Sequence, residues 1–231
     1  MELKELLSEG ATKKIYATHQ NDQVVVEFYE KSSGSGSKKK DITEEKNKIN
    51  NDVSTLLFEY LESYNVPTHF SQKLDEKSFL AKRLDMIPII ITVYNVASKE
   101  LSERLGIEDG KLLEFPVVEL YYKDEKRKLP MINEYHAYAL GLCDRKEMTS
   151  LMRIATKVNA VLKSFFARKK LQLISFNLEF GRYQNQVLLA DDVSVDSLSL
   201  WEISDDGEFQ KLDDKKIDTY RKINSLIFGT G

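Results

Sequence analysis

The sequence has few of the features that mark a secreted or membrane protein. It contains one cysteine, Cys143, so an intramolecular disulfide framework is excluded and a reducing compartment is expected. The first ten residues lack a basic end followed by an apolar core, so no secretory signal is expected. The longest apolar run, near 86–97, is too short to span a bilayer. These absences predict a cytoplasmic protein with no membrane partner.

The sequence also lacks a large excess of positive charge and the common short catalytic motifs. A net charge of -3 argues against broad attraction to nucleic acid, so no nucleic-acid partner is expected. The three histidines, His19, His69 and His136, lack the spacing of zinc ligands. No glycine-rich dinucleotide loop, Walker-type lysine loop or Gly-x-Ser-x-Gly turn occurs. What remains is a globular chain of 231 residues, 42% hydrophobic and 31% charged, with enough apolar material for a core.

The most informative segment is residues 171–192. An alternating apolar run and a continuous apolar run flank a polar turn near Gln184 and Asn185, which predicts a β-hairpin. Folding about Asn185 sets Glu179 within about one residue of Asp191, where opposed side chains lie roughly 5 Å apart. Two carboxylates that close repel each other unless a cation lies between them, and magnesium prefers such oxygen ligands. A solvated acidic hairpin end is the alternative.

The rest of the chain alternates strands with helices. The segment 32–40, rich in serine, glycine and lysine, has the composition of a mobile linker, and the following helix is predicted to begin at Asp41 or Thr43. A second long helix is predicted after Asp144, a loop is predicted from the hairpin to Trp201, and a terminal helix is predicted from about Asp213. The remaining predicted elements are strands at 13–17, 23–29, 69–74, 78–83, 87–96 and 115–122, and short helices after Ser98 and Asn133.

This order of elements predicts an α+β fold of two lobes with a cleft between them. Residues 1–86 are predicted to form a sheet-rich N-terminal lobe of antiparallel strands. Residues 87–231 are predicted to form a mixed C-terminal lobe that contains the acidic hairpin. The sequence leaves the oligomeric state open, including a homo-oligomer.

Four ordered blocks resemble phosphoribosylaminoimidazole-succinocarboxamide synthase (SAICAR synthetase), the ATP-dependent ligase of purine synthesis. The resemblance extends from Gly10 to about Glu202. The blocks are Lys-Arg-Leu-Asp-Met-Ile-Pro at 82–88, Arg-Leu-Gly-Ile-Glu-Asp-Gly at 104–110, Pro-Met-Ile-Asn-Glu at 130–134, and Leu-Glu-Phe-Gly at 178–181 with Ala-Asp-Asp at 190–192.

The resemblance implies a fold with the nucleotide between two lobes, and it implies ATP and Mg²⁺ as cofactors. Lys13 matches the second phosphate-binding lysine of the family, while Ala11 replaces the first. By the same resemblance Lys13, Lys123 and Asp196 belong to the catalytic site. The implied nucleotide-binding residues are Lys13, Lys82, Met86, Lys123, Glu179 and Asp191, of which Glu179 and Asp191 would hold magnesium. Without the resemblance, Lys13 would be interpreted as a surface lysine and Met86 as a core residue.

The acceptor side departs from the family pattern. Where the family has Arg-Asn-Arg-Ala-Ala-Gly-Ser, this chain has Tyr-Asn-Val-Ala-Ser-Lys-Glu at 94–100. Ser175 and Asn177 replace an aspartate and a lysine beside the substrate, and Ser199 replaces an arginine. Losing two or three arginine contacts to phosphate would cost on the order of 5 kcal/mol, since each such hydrogen bond contributes roughly 1.5–3 kcal/mol.

Three hypotheses follow for the function. The first is an ATP-dependent carboxylate-amine ligase with an altered acceptor, whose small-molecule substrates are a carboxylate and an amine. An alternative within that class is a true SAICAR synthetase. The third is a nucleotide-binding or interaction protein that has kept the fold without catalysis, because fold alone does not fix function.

Overall fold

The computed structural model describes residues 5–29, 37–213 and 216–229. The chain divides into two compact units. Unit 1 comprises Met1–Asp85, Asp192–Asp196 and Asp213–Gly231, and unit 2 comprises Met86–Asp191 and Ser197–Leu212. The predicted boundary at residue 86 lies beside this division, but unit 1 also includes the terminal helix and the short segment 192–196.

In its described residues, unit 1 is built on a five-stranded sheet and two helices. Its strands follow the order β1-β2-β3-β5-β4, and the registered pairs β1–β2, β2–β3, β3–β5 and β4–β5 are antiparallel. The elements are β1 (Leu6–Glu9), β2 (Lys13–Ala17), β3 (Gln23–Phe28), α1 (Ser37–Ser63), β4 (Phe70–Lys73), β5 (Ser78–Lys82) and α5 (Ile217–Phe228).

The core of unit 1 lies where α1 packs on the sheet. Phe58 of α1 is fully buried and stacks on Phe70 with ring centroids 5.7 Å apart. His69 lies edge-on to Phe58 and Phe79 and is buried, so this histidine is a packing residue. These aromatic contacts fix α1 against β4 and β5 because each ring removes a large apolar area from water.

Unit 2 contains a seven-stranded sheet with three helices. Its order is β12-β11-β9-β6-β7-β8, with β10 paired to β9 off this path. The elements are β6 (Asp85–Val96), α2 (Lys99–Leu105), β7 (Leu112–Tyr122), a 3-10 turn at Glu125–Arg127, β8 (Met131–Ile132), α3 (Glu134–Ala139), α4 (Arg145–Ala167), β9 (Leu171–Tyr183), β10 (Gln186–Ala190), β11 (Leu198–Ile203) and β12 (Phe209–Lys211).

The long strand β9 organises unit 2 because it pairs with three strands, β6, β10 and β11. Its first half is antiparallel to β11 and its second half is antiparallel to β10. Helix α4 packs on this strand through a continuous apolar face. The buried side chains of that face are Met148, Leu151, Ile154, Ala155, Val158, Val161, Leu162, Phe165 and Phe166.

The predicted helix starts in unit 2 are confirmed by their caps. Ser98 caps α2 by accepting from the Leu101 backbone N–H, and Gly106 ends that helix at φ 69. Asn133 and Asp144 form capping boxes at the starts of α3 and α4. In each box the cap side chain accepts from the backbone N–H of the third helical residue, and the side chain of that residue accepts from the backbone N–H of the cap.

The predicted mixed α+β class is confirmed, and three local predictions need correction. Residues 37–40 of the expected linker belong to α1, which begins at Ser37; residues 30–36 lie outside the described part of the chain. Trp201 lies in β11 and not at the end of a loop. The terminal helix begins at Ile217, four residues after the expected Asp213. In the three described segments, no helix is both long and apolar enough to cross a bilayer.

Candidate functional site

The hairpin formed by β9 and β10 confirms the predicted arrangement of the two acids along the backbone. Ala190 lies directly opposite Glu179, so Asp191 follows one residue beyond that pair. Gln184 and Asn185 form the turn with φ values of 46° and 64°, the left-handed pair that a two-residue type I′ hairpin requires. Asp191 also has a positive φ of 61°, which an aspartate tolerates better than most residues.

Lys123 lies beside the hairpin acid in the same unit. Its Nζ donates to Oε2 of Glu179 at 2.6 Å, and its backbone N–H donates to the Pro88 carbonyl at 3.0 Å. The Glu179 side chain is 12% exposed, while that of Lys123 is 45% exposed. A mostly buried carboxylate therefore has a more exposed ammonium as its neighbour, and the lysine side of the pair is open to solvent.

No set of three or more histidine, cysteine, aspartate or glutamate side chains arranged to hold a metal ion is found over 5–29, 37–213 and 216–229. The sequence-predicted acidic pair thus offers two protein carboxylates. Magnesium commonly binds with one or two carboxylates and takes its other ligands from substrate phosphates and water.

Lys13 lies in unit 1, at the start of β2. The Gly10 backbone N–H donates to the Lys13 carbonyl at 2.9 Å, which closes the turn before the strand. The Lys13 ammonium forms an ion pair with Asp192, whose other carboxylate oxygen accepts from the Ser194 hydroxyl. The neighbouring Lys14 has its ammonium 3.8 Å from the centroid of the Tyr29 ring. Adjacent side chains on a strand point to opposite faces, so the two lysines have separate environments.

The two residues expected at the adenine occupy defined positions in their own units. In unit 1, Lys82 donates through Nζ to the Thr68 carbonyl at 3.1 Å. In unit 2, Met86 is 42% exposed, so the interpretation of Met86 as a core residue is wrong. An exposed methionine is available for contact with a flat apolar ring, because its thioether side chain is flexible and polarisable.

Asp196 lies in unit 1 with both carboxylate oxygens bonded. Asn50 donates to Oδ2 at 2.8 Å, and the Tyr220 hydroxyl donates to Oδ1. The residue remains exposed on one side. The pKa of its carboxyl group is nevertheless raised, chiefly because protein atoms displace water around the charge, while the bonds from Tyr220 and Asn50 oppose the shift.

The position of the first missing family arginine holds a buried tyrosine. Tyr94 is 8% exposed, and burial raises the pKa of its hydroxyl group. Tyr121 donates to Oε2 of Glu119 at 2.6 Å, and Arg104 binds the other oxygen of the same carboxylate at 2.5 Å. This part of unit 2 is therefore a connected set of hydrogen bonds in which Glu119 already binds the available guanidinium.

The acceptor-side positions 175, 177 and 199 of unit 2 hold neutral side chains. Ser175 lies directly opposite Ser199 on the neighbouring strand. Asn177 accepts from the Thr92 hydroxyl at 2.8 Å. Lys99, a candidate replacement for the lost positive charge, is 83% exposed and lies 3.8 Å from Glu103. The paired positions 175 and 199 therefore hold two neutral serines, and this strand pair has no positive charge at the place where the resemblance implies one.

Four residues that contact the candidate residues were not predicted as their neighbours from the sequence: Asp192, Ser194, Asn50 and Tyr220. The Lys13–Asp192 pair joins positions 179 apart, and Tyr220 lies on the terminal helix. The available signal was the pair of adjacent aspartates after β10. Spacing alone gave a role to the first of them only.

The comparisons with known proteins agree with this architecture. The SAICAR synthetase family model matches residues 6–225. A phosphoribosylaminoimidazole-succinocarboxamide synthase of Chlorobium limicola is 40% identical over 211 residues, covering 91% of this chain and 89% of the relative. The enzyme of the same name from Clostridium perfringens is 37% identical over 224 residues and covers 95% of each chain.

Solved structures give the same assignment. The synthase of that name from Ehrlichia chaffeensis superposes with a TM-score of 0.86 at 27% identity, covering 98% of this chain and 100% of the other. A SAICAR synthetase in complex with ADP superposes with a TM-score of 0.84 at 31% identity, covering 97% and 98%. Fold, hairpin and coverage define an α+β chain of one enzyme family. The chain belongs to the SAICAR synthetase family.

Proposed function

We propose that this chain is an ATP-dependent amide-forming ligase of purine biosynthesis, with the activity of a SAICAR synthetase. The observation that supports this most directly is the hairpin in which Glu179 pairs with Lys123 and Asp191 follows one residue beyond Ala190. It supplies the acids and the ammonium that a magnesium-bound triphosphate requires. The 40% identity to a curated synthase over 91% of the chain supports the same activity.

The residues fit magnesium and ATP in chemical type. Glu179 and Asp191 would bind Mg²⁺, while Lys13 and Lys123 would contact the phosphates. Lys82 and Met86 would flank the adenine. Bound magnesium would neutralise charge on the transferred phosphoryl group. The protein's own contribution is positioning and electrostatic stabilisation, which account for most of phosphoryl-transfer catalysis.

In this reaction a substrate carboxylate attacks the γ-phosphorus of ATP and ADP leaves, which gives an acyl phosphate. The amine of aspartate then attacks the acyl carbon, the C–O bond to phosphate breaks, and an amide and inorganic phosphate form. For a SAICAR synthetase the carboxylate belongs to carboxyaminoimidazole ribotide. Asp196 would act on these small-molecule substrates as a catalytic residue, and the displacement of water around its carboxyl group raises the pKa of that group. The proposed location is the cytoplasm.

A second candidate keeps the ligase chemistry and changes the acceptor. The observation that favours it is the neutral Ser175–Ser199 pair, together with buried Tyr94, at positions where the resemblance implies charged contacts to a phosphoribosyl group. A neutral pair cannot replace the planar bidentate contact that arginine makes with phosphate. The sequence identity to curated synthases favours the first candidate.

Nucleotide binding followed by turnover tests both candidates. A ligand at about 100 times its dissociation constant stabilises a protein by about 2.7 kcal/mol, so MgATP should raise the unfolding temperature measurably. Lys13→Ala should remove most of this shift. Lys14→Ala is the matched control, because it deletes the adjacent lysine that stacks on Tyr29.

Turnover then separates the candidates. ADP release with carboxyaminoimidazole ribotide and aspartate supports the first candidate. ADP release only with other carboxylates supports the second. Binding of MgATP without turnover for any substrate pair leaves a nucleotide-binding protein without catalysis, and absence of MgATP binding refutes every candidate that uses the nucleotide.

A further inference from the structure

Asp192 is the carboxylate that follows the metal-site aspartate in sequence, and it has a distinct environment. It is 6% exposed and belongs to the segment 192–196 of unit 1. One of its oxygens pairs with the Lys13 ammonium and the other accepts from the Ser194 hydroxyl, a side chain with no exposed surface. Burying a carboxylate costs free energy because its charge loses water, and the bonds from Lys13 and Ser194 offset that cost.

The backbone on both sides of this contact is also fixed within unit 1. The Val193 backbone N–H donates to the Ser54 hydroxyl of α1 at 3.3 Å. On the lysine side, the Lys13 carbonyl accepts from Gly10 at 2.9 Å, and the Thr12 carbonyl accepts from Tyr29 at 2.7 Å. The Lys13 side chain is 16% exposed, so its ammonium is held in a narrow range of positions and retains some access to solvent.

We infer that Asp192 is a positioning residue that orients the Lys13 ammonium for the phosphates of ATP, and that Ser194 fixes the Asp192 carboxylate for this purpose. The inference rests on the proposed function, in which Lys13 contacts the nucleotide. A lysine side chain has four rotatable bonds, so ordering it when a ligand binds costs free energy. The ion pair with Asp192 orders the Lys13 side chain before ATP binds and so reduces that cost. The need is greater here because the turn before β2 has Ala11 where the resemblance implies the first of two phosphate-binding lysines, so Lys13 would bind without it.

Steady-state kinetics with varied MgATP test this role. Asp192→Asn keeps the shape of the side chain and removes its charge. It should raise KM for MgATP about three- to tenfold, the range expected when one long side chain must be ordered on binding, while KM for the amine stays unchanged. Asp192→Glu should recover part of the loss. Ser194→Ala should give a smaller increase of the same kind and serves as the second variant if Asp192→Asn does not fold.

Asp52→Asn is the matched control, because it makes the same chemical change at a different lysine ion pair of unit 1, Asp52 with Lys73. It should leave KM for MgATP within twofold of the wild type. If Asp192→Asn lowers only the unfolding temperature and leaves KM and kcat unchanged, the ion pair is structural and the inference is wrong. Tighter MgATP binding in Asp192→Asn would equally overturn it, since Asp192 would then compete with phosphate for Lys13. A wild-type protein without MgATP binding would instead refute the proposed function itself.

Discussion

Lys123 and Glu179 are 56 positions apart in the sequence and are joined by a hydrogen bond of 2.6 Å from Nζ to Oε2. The bond connects the segment after β7 to β9. Glu179 of β9 lies directly opposite Ala190, the residue before Asp191. The lysine offsets the charge of a carboxylate that is 12% exposed. Binding of a magnesium ion at Glu179 would therefore change the partner of Lys123 as well, because one carboxylate would serve both cations.

The first prediction concerns the two hairpin acids. Glu179→Gln and Asp191→Asn should each remove the magnesium-dependent part of the thermal shift with ATP, because a neutral amide is a weak ligand for a hard dication. Asparagine is chosen at 191 because it tolerates the positive φ of 61°. Asp109→Asn, which breaks an exposed pair with Lys211, should leave the shift intact. Full shifts in both hairpin variants would contradict the assignment of these acids to the metal.

Local sequence signals predicted the parts of the fold that depend on neighbours in the chain. The hairpin followed from apolar alternation and a polar turn, and the starts of α2, α3 and α4 followed from Ser98, Asn133 and Asp144. Strands β1 and β12 were missed because every residue in them is exposed, so no apolar pattern marks them. Strand β11 was also missed. Its buried Leu198 and Leu200 alternate with exposed Ser199, but this alternation covers only three residues and does not continue through the half-buried residues 201–203.

The contacts of the candidate site were likewise predictable where they are local in the chain and not where they join distant elements. The relation of Glu179 to Asp191 was predictable because a short hairpin fixes its own register. The contacts of Lys13 with Asp192 and of Asp196 with Tyr220 were not predictable, because they join distant elements through tertiary packing. The family resemblance named Lys13 and Asp196 but gave no information about their partners.

The second prediction concerns the turn of the hairpin. Gln184 has a positive φ of 46°, which costs free energy for a side chain of its size, whereas Asn-Gly is the preferred pair in this turn. Gln184→Asn combined with Asn185→Gly should stabilise the protein by about 0.5–1 kcal/mol. Chemical denaturation measures the change. Gln184→Val should destabilise, since a β-branched residue is strained at positive φ; equal stability of all three proteins would mean that the turn geometry is wrong.

The third prediction concerns acid stability at the start of α4. Arg182 donates from Nε to Glu147 at 2.5 Å, and this bond lowers the pKa of the Glu147 carboxyl group below its ordinary value. A depressed folded-state pKa contributes stability that is fully present above the unfolded pKa, near 4.5 for glutamate, and is lost as the pH falls through the folded value.

Glu147→Gln should therefore lower the free energy of unfolding by about 1 kcal/mol at neutral pH, a value reduced for partial exposure, and should approach the wild type in acid as the pH falls through the lowered folded-state pKa. Glutamine retains the capping bond to the Asp144 backbone N–H, so the variant isolates the charge. Urea unfolding across this pH range measures the difference. Glu103→Gln, which removes an exposed partner of Lys99, should show little dependence on pH. A constant difference between Glu147→Gln and the wild type would exclude the ion pair as its cause.

The fourth prediction concerns a buried amide pair in unit 2. Asn95 on β6 donates to Asn159 on α4 at 2.8 Å, and Asn159 donates back at 3.0 Å. Both residues are at least 95% buried, so neither amide can exchange its partner for water. Asn159→Ala should cost about 2–3 kcal/mol because it leaves the Asn95 amide without its partner and opens a small cavity.

Removing both amides should cost less than the sum of the single changes, because the double variant Asn95→Ala with Asn159→Ala leaves neither amide unpaired. A double-mutant cycle measured by urea unfolding should give a coupling energy of about 1–3 kcal/mol. Thr156→Ala is the control, since the Thr156 hydroxyl donates to the Met152 carbonyl of α4 from an exposed side chain, where water can replace the bond. That change should cost about 0.5 kcal/mol or less. Additive costs at Asn95 and Asn159 would mean that the two amides do not depend on each other, and the attachment of α4 to β6 would then rest on apolar packing.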